Sequence, residues 1–144
     1  MTRYRVEVVK DKSFPYKKKR TIQESKDVFE VFGPVVEREA QEVFYVVLLG
    51  TRKKIEGFVE VSRGTLTSSS IHPREVFKPA VVSNAHSVIF LHNHPSGDPN
   101  PSRADVLITK KLKDAGDILG IRVLDHIIVG EENYYSFADK GLIK

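Results

Sequence analysis

Residues His92 to Asp105 read HNHPSGDPNPSRAD, with two histidines, two serines, three prolines and two aspartates in fourteen positions. His92 and His94 are one residue apart. At the end of an extended strand, where side chains alternate with a period of two, that spacing puts both imidazoles on one face. The residues just before them, Ser87 to Leu91 (SVIFL), read as such a strand. Gly97, Pro99 and Pro101 forbid regular structure in the ten residues that follow His94 and force a tight loop, which can carry the Asp105 carboxylate back to the imidazoles. Two imidazole nitrogens and a carboxylate oxygen are a common ligand set for a catalytic zinc whose fourth position is left to water. A second reading is purely local. Ser102-x-x-Asp105 before an apolar-periodic segment is the pattern of a helix capping box, and a residue in the first helical turn caps or ligates according to its rotamer. Asp98 is a rival ligand, disfavoured by its short return from His94, and Gly97 is expected to supply a left-handed turn that brings the backbone close to a metal.

Outward from this stretch, Arg103 onward reads as a helix with Leu107, Ile108, Leu112, Ala115 and Leu119 on one face and Gly120 as its C-terminal cap. Ile121 to Val129 and Tyr134 to Phe137 read as two strands joined by a turn at 130–133. Upstream, Val43 to Leu49 (VFYVVLL) is an uninterrupted apolar run of the length of a central strand, and Ile55 to Ser62 alternates like an antiparallel neighbour reached through a turn at 51–54. Glu42 stands at the mouth of the apolar run, where a carboxylate can reach a site at that edge of the sheet; Glu37 and Glu39 are nearby competitors in the more polar connection. His72-Pro73 opens a helix with Val76, Phe77, Ala80, Val81 and Ala85 toward the sheet. A short helix from Thr21 or Ser25, carrying Val28, Phe29, Val31 and Phe32, is expected to break near Gly33-Pro34. Tyr4 to Val9 alternates like a half-buried edge strand. His72, His86 and His126 have no partner at metal-ligand spacing and are read as non-ligands.

The 144 residues are enough for one domain with a real core. They carry 40% hydrophobic and 29% charged residues, a globular composition. The absence of cysteine excludes disulfides, thiolate zinc sites, a cysteine nucleophile and the P-C-x-x-C signature of zinc nucleobase deaminases. No apolar run approaches a membrane span and the first residues lack a signal-peptide core, so a cytoplasmic location without membrane contact is expected. The net charge of +4 is unevenly placed: residues 1–26 hold nine Lys/Arg against three Asp/Glu, leaving fourteen against sixteen. A basic arm over residues 3–20 is one way to make weak nucleic-acid contacts through phosphates; an exposed solubilising loop, including Lys17 to Arg20, is the plainer reading.

His-x-His, ten residues and Asp, with an upstream Glu, resembles the JAMM motif of the JAB/MPN domain. Together with SRGTL, HPREVF and RVLDHIIVG, it looks closest to the RadC-like branch over residues 21 to 144. The resemblance implies a mixed α/β (α+β) fold of the cytidine-deaminase-like, three-layer JAB/MPN type, a curved mixed β-sheet flanked by helices, with residues 1–20 as a basic strand and arm. It also implies zinc ligands His92, His94 and Asp105, a transition-state hydroxyl at Ser102 and a general acid/base at Glu42. The implied activity is that of a zinc metallohydrolase, a metalloprotease or isopeptidase acting on a protein or peptide substrate. The alternative is a nucleic-acid-associated, DNA-repair-like protein whose metal site acts on phosphodiesters or is only structural. RadC-like proteins often carry N-terminal helix-hairpin-helix elements, which the twenty residues before Thr21 are too few to hold.

Overall fold

The computed structural model describes residues 1–13, 21–67 and 69–144. In chain order the elements are α1 (Ser25–Val36), β1 (Val43–Leu49), a 3-10 turn (Thr51–Lys53), β2 (Ile55–Arg63), α2 (Pro73–Val82), β3 (Ser87–Asn93), α3 (Arg103–Leu119), β4 (Arg122–Val129) and β5 (Tyr134–Ser136). The strands form one mixed sheet in the order β2-β1-β3-β4-β5. β3 and β4 are its parallel pair, joined by α3 as the crossover such a pair requires, and the other neighbours run antiparallel.

Three layers follow from the period of two along the strands. Phe44, Val46 and Leu48 of β1 and Val88 and Phe90 of β3 pack with Val76, Phe77 and Ala80 of α2 and Ile108 and Leu112 of α3. Their alternates Val43, Tyr45, Val47, Leu49, Ile89 and Leu91 pack with Val28, Phe32 and Val36 of α1. Both central strands are therefore buried along their whole length, which is why they read as unbroken apolar runs. The same alternation puts His92 on the face of α2 and α3, and Asn93 on the face of α1.

Four expectations need correction. Tyr4 to Val9 forms no strand: residues 1–13 are all exposed, Tyr4 at 85%. Alternation describes a strand only where another strand offers it backbone partners. The stretch Lys17 to Arg20 lies outside the described residues. α1 is not broken at Gly33-Pro34 but runs on to Val36; the hydrogen bond Pro34 cannot donate is outweighed by full burial of Val36 at the end of the helix. Finally, the inner face of α3 is Asp105, Ile108, Thr109, Leu112 and Gly116, whereas Leu107 and Leu119 are about half exposed. In α2, likewise, Val81 is exposed, and Ala85 is buried only after the helix has ended.

Candidate metal centre

β3 ends at Asn93, and His94 extends its line by donating its backbone N–H to Val129 O at 2.9 Å. The two imidazoles thus stand at the C-terminal end of the parallel pair β3 and β4, His92 inside the last rungs of the ladder and His94 just past it, where open α/β sheets place their sites. The loop then folds onto the turn after β4: Glu131 N–H donates to Gly97 O at 2.9 Å, and Gly97 takes φ +91°. The left-handed turn expected at Gly97 is present, but the group it passes closely is the Gly130–Glu131 backbone; a Cβ on Gly130 would stand 2.4 Å from Gly97 O. The loop delivers Ser102 as N-cap of α3. Its Oγ accepts the Asp105 N–H at 3.1 Å, and its own N–H donates to Asp105 Oδ2 at 2.8 Å.

The capping box therefore exists, and it orients the carboxylate rather than competing for it. Asp105 Oδ2 lies 3.1 Å from His94 Nε2, Asp105 Oδ1 lies 3.3 Å from His92 Nε2, and the two Nε2 atoms are 3.1 Å apart. These three residues form the group of metal-ligating side chains found among the described residues. Their spacing can be tested against an ion: bonds of about 2.0–2.1 Å in a tetrahedron separate neighbouring ligands by roughly 3.3 Å. The observed triangle fits a small ion of tetrahedral preference with little adjustment. His94 Nδ1 donates to Asp98 O at 2.8 Å, which leaves Nε2 as the bare nitrogen a metal requires. Asp98 contributes that carbonyl, while its carboxylate accepts Asn100 N–H at 3.0 Å; it does not join the ligand group.

Burial raises the Asp105 carboxyl, yet the neighbouring His92 and His94 rings and the Ser102 backbone N–H outweigh it and hold the group well below the usual carboxylate range. Burial pushes His92 down, while Asp105 raises the partly buried His94.

Glu42 arrives from β1. The antiparallel register that sets Phe44 opposite His92 brings the residue before the strand beside His94, with Glu42 Oε1 3.9 Å from His94 Nε2. Its position is fixed twice by the segment after β2: Leu66 N–H donates to Oε2 at 3.0 Å and Gly64 N–H to the Glu42 carbonyl at 2.8 Å. The competing acids are committed elsewhere. Glu39 pairs with Arg63 at 2.6 Å, which lowers its pKa, and accepts from Tyr45 Oη; Glu37 is the exposed C-cap of α1.

His72 and His86 are exposed and stand apart from the group. His126 is different. Fully buried on β4, it places Nε2 2.7 Å from His92 Nδ1 and Nδ1 2.5 Å from Thr109 Oγ1. His126 stays outside the ligand group, as read from the sequence, but its contact with His92 and the contact of Thr109 with it are not foreseen there. A signal was available in the adjacent polar pair Asp125-His126 inside an otherwise apolar strand. A cavity of about 630 Å³ lies at the opposite ends of the strands, between Gly50, Glu56, His86 and Arg122, and none of His92, His94, Asp105 and Glu42 lines it.

The model of the RadC-like JAB domain matches residues 22–142 of this sequence. The chain belongs to that family. Among relatives of this RadC-like domain, the UPF0758 protein of Trichlorobacter lovleyi is 52% identical over 116 residues, 81% of this chain and 50% of that protein. That of Chlorobaculum parvum is 48% identical over 124 residues (86% and 56%), and that of Methanosarcina mazei 45% over 132 residues (92% and 58%). The chain thus spans about half the length of the curated relatives it matches. No helix among the described residues is long and apolar enough to cross a membrane.

Proposed function

We propose that this RadC-like domain is a zinc-dependent hydrolase of the JAMM type that cleaves a peptide or isopeptide amide. The observation that carries the reading is the 3.9 Å between Glu42 Oε1 and His94 Nε2, which puts a carboxylate from a separate strand, outside the ligand set, at the ligand face. His92, His94 and Asp105 would hold the ion, and a zinc bound by them supplies a water of pKa near 7 and polarises a carbonyl. With Oε2 engaged by Leu66 N–H, Glu42 keeps Oε1 to take a proton from the nucleophile and pass it to the leaving amine. Ser102 Oγ accepts the capping N–H, so its own proton remains to be donated to an oxyanion from the exposed rim of the site.

The test is turnover of peptide and isopeptide-linked substrates by zinc-loaded protein. Glu42→Gln should lower the rate by roughly 10²–10⁴-fold while zinc content stays at the wild-type level. Amide cleavage by Glu42→Gln at the wild-type rate would overturn the assignment. A second reading draws on the exposed Arg3, Lys10 and Lys12 of the N-terminal arm, which favour a nucleic-acid partner and phosphodiester chemistry. It predicts cleavage or binding of DNA or RNA that weakens steeply with salt, with a slope flattened by removing residues 1–20.

A further inference from the structure

Behind the ligand face, His126 sits in an aromatic box. Its ring stacks on Phe137 at 4.9 Å with an interplanar angle of 8°, and Phe44 and Phe90 meet it at steep angles from 5.6 and 6.1 Å. Only its two nitrogens have polar partners, His92 Nδ1 and Thr109 Oγ1. Thr109 Oγ1 also lies 2.7 Å from the backbone carbonyl oxygen of Asp105. The direction of this chain follows from counting protons. A carbonyl oxygen only accepts, so the single hydroxyl proton of Thr109 must point at Asp105 O. Thr109 Oγ1 then accepts from His126 Nδ1–H, which leaves His126 Nε2 bare to accept from His92 Nδ1–H. His92 Nε2 is in turn left bare and faces His94 and Asp105. The opposite direction would set two proton-free oxygens 2.7 Å apart.

We propose that Thr109 and His126 are positioning residues of the metal centre: their one-way hydrogen-bond chain holds His92 in the tautomer whose Nε2 is free to ligate. Because the chain ends on the backbone of Asp105, it also ties the ligand of β3 to the ligand of α3 through β4. Partners of this kind fix ring orientation and ligand basicity, and losing them typically weakens metal binding by 10–100-fold. The proposal rests on the metal-centre reading but on no substrate.

Two measurements on the full chain test it. In metal-free, ¹⁵N-labelled protein, long-range ¹H–¹⁵N spectra report which nitrogen of His92 carries the proton. Zinc affinity is read by competition with a chromophoric chelator. In wild type, Nδ1 of His92 should be protonated and Nε2 bare. Thr109→Val, which keeps the shape and removes the hydroxyl, should mix the His92 tautomers and weaken zinc binding by about 10–100-fold; Thr109→Ser should restore both. Protonation of Nε2 in wild type overturns the proposal, as does a Thr109→Val protein with the wild-type tautomer and affinity. If wild type takes up no zinc, the metal-centre reading fails on its own, and the tautomer spectra still decide the direction of the chain.

Discussion

Asn93 Oδ1 accepts the backbone N–H of Val43 at 2.8 Å, and Asn93 Nδ2 donates to Gln41 O at 2.9 Å, so the residue between the two candidate ligand histidines clamps the start of the strand that Glu42 precedes. His92 and Asn93 point to opposite faces of the sheet, one toward His94 and Asp105 and one toward the backbone on either side of Glu42. The backbone groups that this amide satisfies lie about fifty residues away in sequence. Asn93→Ala leaves Val43 N–H buried without a partner, a loss of about 1–3 kcal/mol. Urea denaturation should show that cost while zinc content persists; an unchanged midpoint would show that the clamp contributes nothing.

Ligand assignment separates two aspartates in one loop. Asp105→Ala removes a ligand and half of the capping box, so it should lose zinc and about 1 kcal/mol of stability. Asp98→Ala keeps the carbonyl that receives His94 Nδ1–H and should keep zinc. Metal analysis after gel filtration checks both, and the reverse pattern would make Asp98 the ligand.

In chelated protein the paired His94 and Asp105 should make stability depend on pH. Asp105 raises the pKa of His94 above 6.5, whereas burial lowers that of His92, so of the two rings His94 is the one whose protonated form the fold favours. A raised folded-state value contributes stability that is complete below 6.5 and is lost as pH rises through that value. His94→Gln should therefore cost more at about pH 6 than at about pH 8.5, measured by denaturation in excess chelator. Zinc uptake displaces the same proton, so affinity should run the other way and fall as pH drops. Equal costs at both pH values would remove the His94–Asp105 interaction from the metal-free state.

Gly116 tests the packing of α3. In an exposed helix interior Gly→Ala stabilises by about 1 kcal/mol. Here a Cβ would meet Ile121 O at 2.6 Å, Val123 Cγ2 at 2.9 Å and Phe77 Cζ at 3.3 Å. Gly116→Ala should instead destabilise by roughly 1–3 kcal/mol through overpacking, and thermal unfolding reads the sign.

What could be read from residue order was what is local in it. His92, His94 and Asp105 lie within one strand end, one loop and one first helical turn, and β1 and β3 announce their burial through unbroken apolar runs. The inner face of α3 was misjudged because Asp105, Thr109 and Gly116 face inward for reasons of site and close approach, while Leu107 and Leu119 are left outside. His126 was passed over because its partner His92 is thirty-four positions away, a distance that only the parallel pairing of β3 with β4 closes. Tyr4 to Val9 has the alternation of a strand but, among the described residues, no neighbour to pair with.

The most direct measurement is the crystal structure of zinc-soaked protein, with anomalous scattering recorded at the zinc edge. A single ion should lie within about 2.0–2.2 Å of His92 Nε2, His94 Nε2 and a carboxylate oxygen of Asp105, with solvent in the fourth position on the side of Glu42. An ion held elsewhere, or one whose fourth position is closed by a protein ligand, would contradict an open metal centre in this domain.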